Sequence, residues 1–351
     1  MARLSQKQQE ILSLFLVKGV LSSSSVHAEL VHASEEVSLV TVKRALSAMA
    51  KQGVLAITGS GRATRYGITA LGRMFAAVNA HEYCALEPDR RSGQSRYNFA
   101  LFPAMPPEVF SDDELQLLAA ATAQYESRTR DLPPAIQQKE LERLIIELSW
   151  KSSKIEGNTY TLLDTEKLIL ENKEAPGHDK REATMILNHK EAFTYLRSHV
   201  TQFTALTRKN LTELHTILVK DMSVGLGFRQ RPVGIVGSKY RPLDNAYQIT
   251  EAVDALITTV GRLTTPYAKA VVAITGIGYI QPFEDGNKRT GRLMANALLL
   301  AHGAAPLSYR SVDEREYREA MLVFYELNSI VPFKKIFIEQ YRFAAQNYAV
   351  K

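Results

Sequence analysis

The chain has 351 residues, 45% hydrophobic and 23% charged, an ordinary globular balance with length enough for two domains. No apolar run is long enough to span a bilayer, and MARLSQKQQE lacks the apolar stretch of a secretory signal, so no membrane partner is expected. The single cysteine, Cys84, excludes an intramolecular disulfide and fits a reducing cytoplasm, while the net charge of +6 suits nucleic acid without requiring it.

The first predicted helix runs from Ser5, its N-cap, to Lys18, with Ile11, Leu14 and Phe15 on one face and Gly19 as the stop. A short second helix carries Val26, Leu30 and Val31. The third begins near Ser38, where Leu39, Val42, Leu46 and Met49 repeat at helical spacing and Thr41, Lys43, Arg44 and Ser47 occupy the other face. Two short β-rich runs then flank Gly59-Ser60-Gly61, a hairpin with a basic tip. Three helices and a basic hairpin resemble a winged helix-turn-helix over residues 1–75. That resemblance implies DNA as a partner, met by Thr41, Lys43, Arg44 and Ser47 of the third helix and by Arg62 and Arg65 of the wing.

Residues 76–110 read as a linker and an extended lead-in, with Pro103, Pro106 and Pro107 opposing helix. Ser111-Asp112-Asp113-Glu114 opens the next domain, 111–351, with a capping box. A long helix over 133–156 carries Leu141, Leu144, Ile145, Leu148 and Ser152 along one stripe and ends at Glu156-Gly157. A carboxylate at the negative end of a helix is best explained if a cation meets it. Helices are also expected over Thr161–Lys173, Arg181–His199 and Thr207–Met222. The Gly-, Pro- and Arg-rich stretch 225–247 is not helical, and VGIVGSKYRPL within it reads as a small hairpin. Two helices within 313–351 close the chain.

Between Ala268–Ile280, an apolar run read as a buried core helix, and a second apolar run from Leu293 lies QPFEDGNKRTGR. Its Gly286-Asn287 turn sits at a helix N-terminus, where free backbone N–H groups and the dipole favour an anion. Arg289 and Arg292 stand three apart on the first turn, and guanidinium forks suit phosphate oxygens. Asp285 supplies a hard oxygen of the kind that holds Mg²⁺ beside bound phosphates. From the residues alone, this is a nucleotide-phosphate cradle.

The same stretch resembles the signature of the Fic (Fic/Doc) family, His-Pro-Phe-x-Asp/Glu-Gly-Asn-Gly/Lys-Arg-x-x-Arg, departing at its first position, where Gln281 stands for histidine. The resemblance implies a mainly α fold: the winged module followed by an all-α Fic bundle with a small β-hairpin flap. It implies transfer of AMP from ATP to a hydroxyl of a protein target, the chain itself included, with Mg²⁺ on Asp285. Phe283, Gly286, Asn287, Lys288, Arg289 and Arg292 would bind the nucleotide. Gln281, Arg289 and Arg292 occupy the catalytic positions. Ser152, Glu156 and Gly157 match the family's inhibitory motif, whose glutamate pairs with the second signature arginine, here Arg292. Val236, Gly237, Ser238, Lys239 and Tyr240 match the flap that aligns the target. Glutamine accepts no proton near neutral pH, so the other readings are a non-catalytic nucleotide sensor controlling a DNA-binding module and, since Lys288 is shared with the Doc toxins, a phosphotransferase. A homo-oligomer is left open.

Overall fold

The computed structural model describes residues 4–33 and 36–350, which form two compact units. The first comprises the chain to Pro106 together with Ile235–Arg241 and Glu319–Pro332. Its helices α1 (Gln6–Lys18), α2 (Ser23–His32) and α3 (Leu39–Lys51) start at Ser5, Ser22 and Ser38, whose hydroxyls accept from backbone N–H groups of the first turn. Strands β1 (Leu55–Thr58) and β2 (Arg65–Ile68) pair antiparallel, Leu55 opposite Ile68 and Thr58 opposite Arg65. Ile11, Phe15, Val26, Leu46 and Met49 bury their side chains in one core with Val323 and Leu327. Helical spacing put those residues on inner faces, and Thr41, Lys43, Arg44, Ser47, Arg62 and Arg65 are all exposed as expected. Val31, expected inward, is exposed.

Residues 76–110 are more ordered than a linker. After α4 (Ala70–Phe75) come α5 (Ala80–Ala85), a 3₁₀ turn at Pro88–Arg90 and the buried Leu101, Phe102 and Met105. Elements of three to six residues are too short to show a period, so their composition reads as loop. The hairpin expected at VGIVGSKYRPL is not formed; that stretch holds a turn, with Ser238 N–H donating to Ile235 O at 3.1 Å, and no strand.

The second unit comprises Pro107–Gly234, Pro242–Arg318 and Phe333–Lys351. Its regular elements are helices: α6 (Asp112–Thr129), α7 (Pro134–Ile155), α8 (Leu162–Glu171), α9 (Lys180–Ser198), α10 (Arg208–Leu218), α11 (Ala246–Arg262), α12 (Pro266–Ile280) and α13 (Asn287–Ala301); the chain ends with α14 (Glu314–Leu327), whose residues from Glu319 on belong to the first unit, and α15 (Val331–Asn347). Helix α12 is buried on every side, because its neighbours leave it no solvent face. Glycines let them close in: a Cβ on Gly276 would lie 2.4 Å from Leu256 of α11, and one on Gly291 of α13 would lie 3.3 Å from the Ile274 carbonyl oxygen. Thus α11 and α13 grip α12 from two sides and fix the loop between α12 and α13. No helix among the described residues is long and apolar enough to cross a membrane.

Candidate functional site

The loop Gln281–Gly286 joins the two most tightly packed helices of the second unit. Gln281 ends α12 in the left-handed region, φ 51° and ψ 59°. Its side chain folds back, Nε2 donating to Gly278 O at 2.6 Å. Phe283 N–H donates to Asn287 Oδ1 and Asn287 Nδ2 donates to Phe283 O, each at 2.8 Å, so Asn287 cross-braces the loop. Gly286 turns the chain into α13 at φ 79°, a conformation that favours glycine. From outside, buried Arg229 donates through Nε to Gln281 O at 2.7 Å and through its backbone N–H to Pro282 O at 2.9 Å.

The cationic side chains converge on two carboxylates. Arg292, fully buried, donates to Ser152 Oγ and Ser152 O at 2.9 and 2.8 Å and to Glu156 Oε1 at 2.9 Å. Lys288, one turn earlier on α13, donates to Glu156 Oε2 at 3.2 Å. Each oxygen of Glu156 therefore has its own cation, at the helix N-terminus where an anion is most favoured. Gly157 follows with φ 99° and ends the run of α7. Asp285 takes Arg181 Nη2 at 3.2 Å and Arg289 Nη2 at 3.5 Å, and its other oxygen accepts from Gly286 N–H at 2.6 Å.

Burial alone would raise the Glu156 carboxyl, but the facing charges of Arg292 and Lys288 outweigh it and hold the group below its usual value of 4.5. Its side chain is only 19% exposed, so solvent screens the pair weakly. A carboxyl with a depressed folded-state value adds stability that is present above the unfolded value and is lost as pH falls through the folded one. The stability difference between the protein and Glu156→Gln is thus expected to be full above about pH 5 and to shrink below about pH 4 in urea unfolding. A difference that stays constant across that range would show that charge does not hold this seat.

Two histidines outside every sequence motif belong here. His215 of α10 stacks on Phe283, ring centroids 3.7 Å apart and planes 4° from parallel, and its Nε2 donates to Asp285 O at 3.0 Å. Burial chiefly, and Arg289 further, push its pKa down to about 4, so it is a neutral prop for the loop near pH 7. His189 of α9 is wholly buried with no hydrogen-bond partner on either nitrogen, and burial with the charges of Arg292 and Arg289 drives its pKa well down. His215 lies four residues after Leu211 on the buried face of α10, a spacing visible in the sequence. His189 offers no such signal, because α9 has a weak apolar stripe.

Residues 205–299 match the Fic/DOC family model. The chain carries a Fic/DOC family domain. It is similar to the protein adenylyltransferase Fic of Nematostella vectensis, 29% identical over 48% of this chain and 41% of that one, and to its Drosophila willistoni counterpart, 30% identical over 46% and 33%. The protein adenylyltransferase fic-1 of Caenorhabditis elegans is 23% identical over 55% and 39%. This chain thus spans about two-fifths or less of those relatives' lengths. Among solved structures, Fic-1 of C. elegans (aa134–508) superposes with TM-score 0.59 over 67% of this chain and 72% of that one at 18% identity. A Fic domain containing signaling protein of Bacteroides thetaiotaomicron superposes with TM-score 0.55 over 66% and 94% at 19% identity. At those identities the likeness is one of fold.

The Fic/DOC match covers the loop and its supports from α10 to α13, but not α7, which brings Ser152 and Glu156 to it. Gln281, Phe283, Asp285, Gly286, Asn287, Lys288, Arg289 and Arg292 all lie together in the second unit. Val236, Gly237, Ser238, Lys239 and Tyr240 instead belong to the first unit, as do the exposed basic residues of α3 and of the β1–β2 hairpin.

Proposed function

We propose that this chain is an autoinhibited Fic-type protein adenylyltransferase whose chemistry is slowed by Gln281. The target hydroxyl would attack the α-phosphorus of ATP, the bond to the β-phosphate would break, and pyrophosphate would leave. The proton lost by the hydroxyl has no acceptor at residue 281. Supporting the reading above all is the seat of Glu156 on Arg292 and Lys288: a carboxylate held where the triphosphate tail of a nucleotide would be bound. The names of the similar proteins support AMP as the group transferred. Among the described residues no group of three metal-ligating side chains stands ready for an ion. That suits Mg²⁺, which takes one or two carboxylates and relies on nucleotide phosphates for the rest. Asp285 is the residue that would hold it, after giving up Arg181. The ion would neutralise phosphate charge; Asn287 and the α13 N-terminus would orient the tail, and Arg289 and Arg292 would bind it.

The test is label transfer from ATP with Mg²⁺ onto the protein itself and onto cell lysate, comparing the unaltered chain with Glu156→Gly. Label from α-labelled ATP that is stronger in Glu156→Gly is the expected result. Label from γ-labelled ATP alone would replace the reading with phosphotransfer. No label in either variant, with ATP still binding, would leave a nucleotide sensor.

For the first unit we infer DNA binding, supported by the simultaneous exposure of Thr41, Lys43, Arg44 and Ser47 on α3 and of Arg62 and Arg65 on the wing. Arg44→Ala with Arg62→Ala is expected to weaken DNA binding and to reduce the slope of log affinity against log salt by about 0.9 for each phosphate no longer neutralised. Unchanged affinity and slope in a gel-shift titration would remove the inference.

A further inference from the structure

A fully buried carboxylate lies in the first unit, outside the nucleotide cradle. Glu326 of α14 has no exposure, yet both oxygens are fully served. Oε2 accepts from the Tyr83 hydroxyl at 2.7 Å, and Oε1 accepts from Arg91 Nη1 at 3.2 Å, Ser238 Oγ at 2.7 Å and Lys239 N–H at 3.2 Å. Burying a carboxylate is costly unless charge and hydrogen bonds compensate it, so each of these donors helps to hold the arrangement. Those donors come from three separate stretches: α5, the residue following the Pro88–Arg90 turn, and the 235–241 segment.

Further bonds tie the same stretches together. Arg91 Nη1 also donates to Gly237 O at 2.9 Å, Lys239 Nζ donates to Arg91 O at 2.5 Å, and Arg241 N–H donates to Ser95 O at 3.0 Å. Tyr240 is buried beside Tyr325, centroids 6.1 Å apart. Gly93 passes so close that a Cβ there would lie 2.6 Å from Glu326 Cβ. Amid this packing Val236 is 99% exposed, an apolar tip on a firmly held base.

We propose that Glu326 is a positioning residue for the 235–241 segment, which it locks to the N-terminal module, so that the module sets how the segment is presented to an extended, hydroxyl-bearing stretch of a protein target. The docking part rests on the adenylyltransferase reading; the locking part does not. Glu326→Gln keeps the shape and removes the charge that draws in Arg91. Tyr83→Phe removes one donor that does not touch the segment at all.

Both are made in the Glu156→Gly chain of 351 residues, with amide hydrogen exchange of residues 236–240, ATP affinity and α-label transfer to lysate protein as readouts. Glu326→Gln is expected to speed exchange of the segment about tenfold, as loss of one charge-assisted bond implies. It should lower transfer and leave ATP affinity unchanged, with Tyr83→Phe producing a smaller change of the same sign. Should Glu326→Gln fail to fold, Tyr83→Phe carries the same comparison. Unchanged exchange at 236–240 in folded variants, or ATP affinity falling in step with transfer, would overturn the proposal. Faster exchange in a chain that labels nothing would instead remove the transferase reading and keep the lock.

Discussion

Gln281→His, made in the Glu156→Gly background, is expected to raise transfer from α-labelled ATP by about 10²–10⁴-fold, the usual contribution of a positioned general base. Residue 281 holds the left-handed conformation at the end of α12. Histidine is among the few non-glycine residues enriched there, so the substitution should not strain the loop. The loop's braces, Asn287 across it and Arg229 behind it, bond to backbone atoms and do not depend on the side chain at 281. Only the Nε2 bond to Gly278 O is lost, at a cost of about 1 kcal/mol. A gain of the stated size would place the missing proton acceptor as the main barrier in the unaltered chain. No gain, with Glu156→Gly already active, would mean that phosphate positioning carries the reaction and that a base at 281 is dispensable.

Arg292→Met is expected to abolish ATP binding and to destabilise the protein by about 3–5 kcal/mol, the penalty for breaking a buried charge pair from one side. Methionine keeps an unbranched stem but lacks the guanidinium and returns none of its bonds to Ser152 and Glu156. Glu156 would then face Lys288 alone. Removing both partners should cost less than the two single changes summed, with a coupling of about 0.5–3 kcal/mol in a urea-unfolding double-mutant cycle with Glu156→Gln. Additive costs would show that Arg292 and Glu156 are neighbours without energetic linkage, and the autoinhibited reading would lose its support.

Much of this protein is legible along the chain because its helices carry their own start signals and periodic faces. Ser5, Ser22, Ser38 and Ser111 cap the helices they precede. The signature loop falls between two apolar runs, and Glu156 stands at the end of a long helix whose negative pole asks for a cation. Helix α11, absent from the sequence expectations, carries a period of its own at Ile249, Val253, Leu256 and Val260, all buried. The flap hairpin fails to form for a physical reason. VGIVGSKYRPL has β-forming residues, but its polar backbone and side-chain groups find partners on Glu326, Arg91 and Ser95, so no strand partner is needed.

Local spacing and motifs of contiguous residues were enough for the helical class, the three helices and hairpin of the N-terminal module and the signature loop, while the pairing of Glu156 with Arg292 was expected only from the family resemblance. Three-dimensional packing was needed to settle which cation takes each oxygen of Glu156, that His215 props Phe283, and that residues 235–241 join the N-terminal unit. Those are contacts between residues tens to hundreds of positions apart, and no period or cap in one segment records what another segment will bring to it.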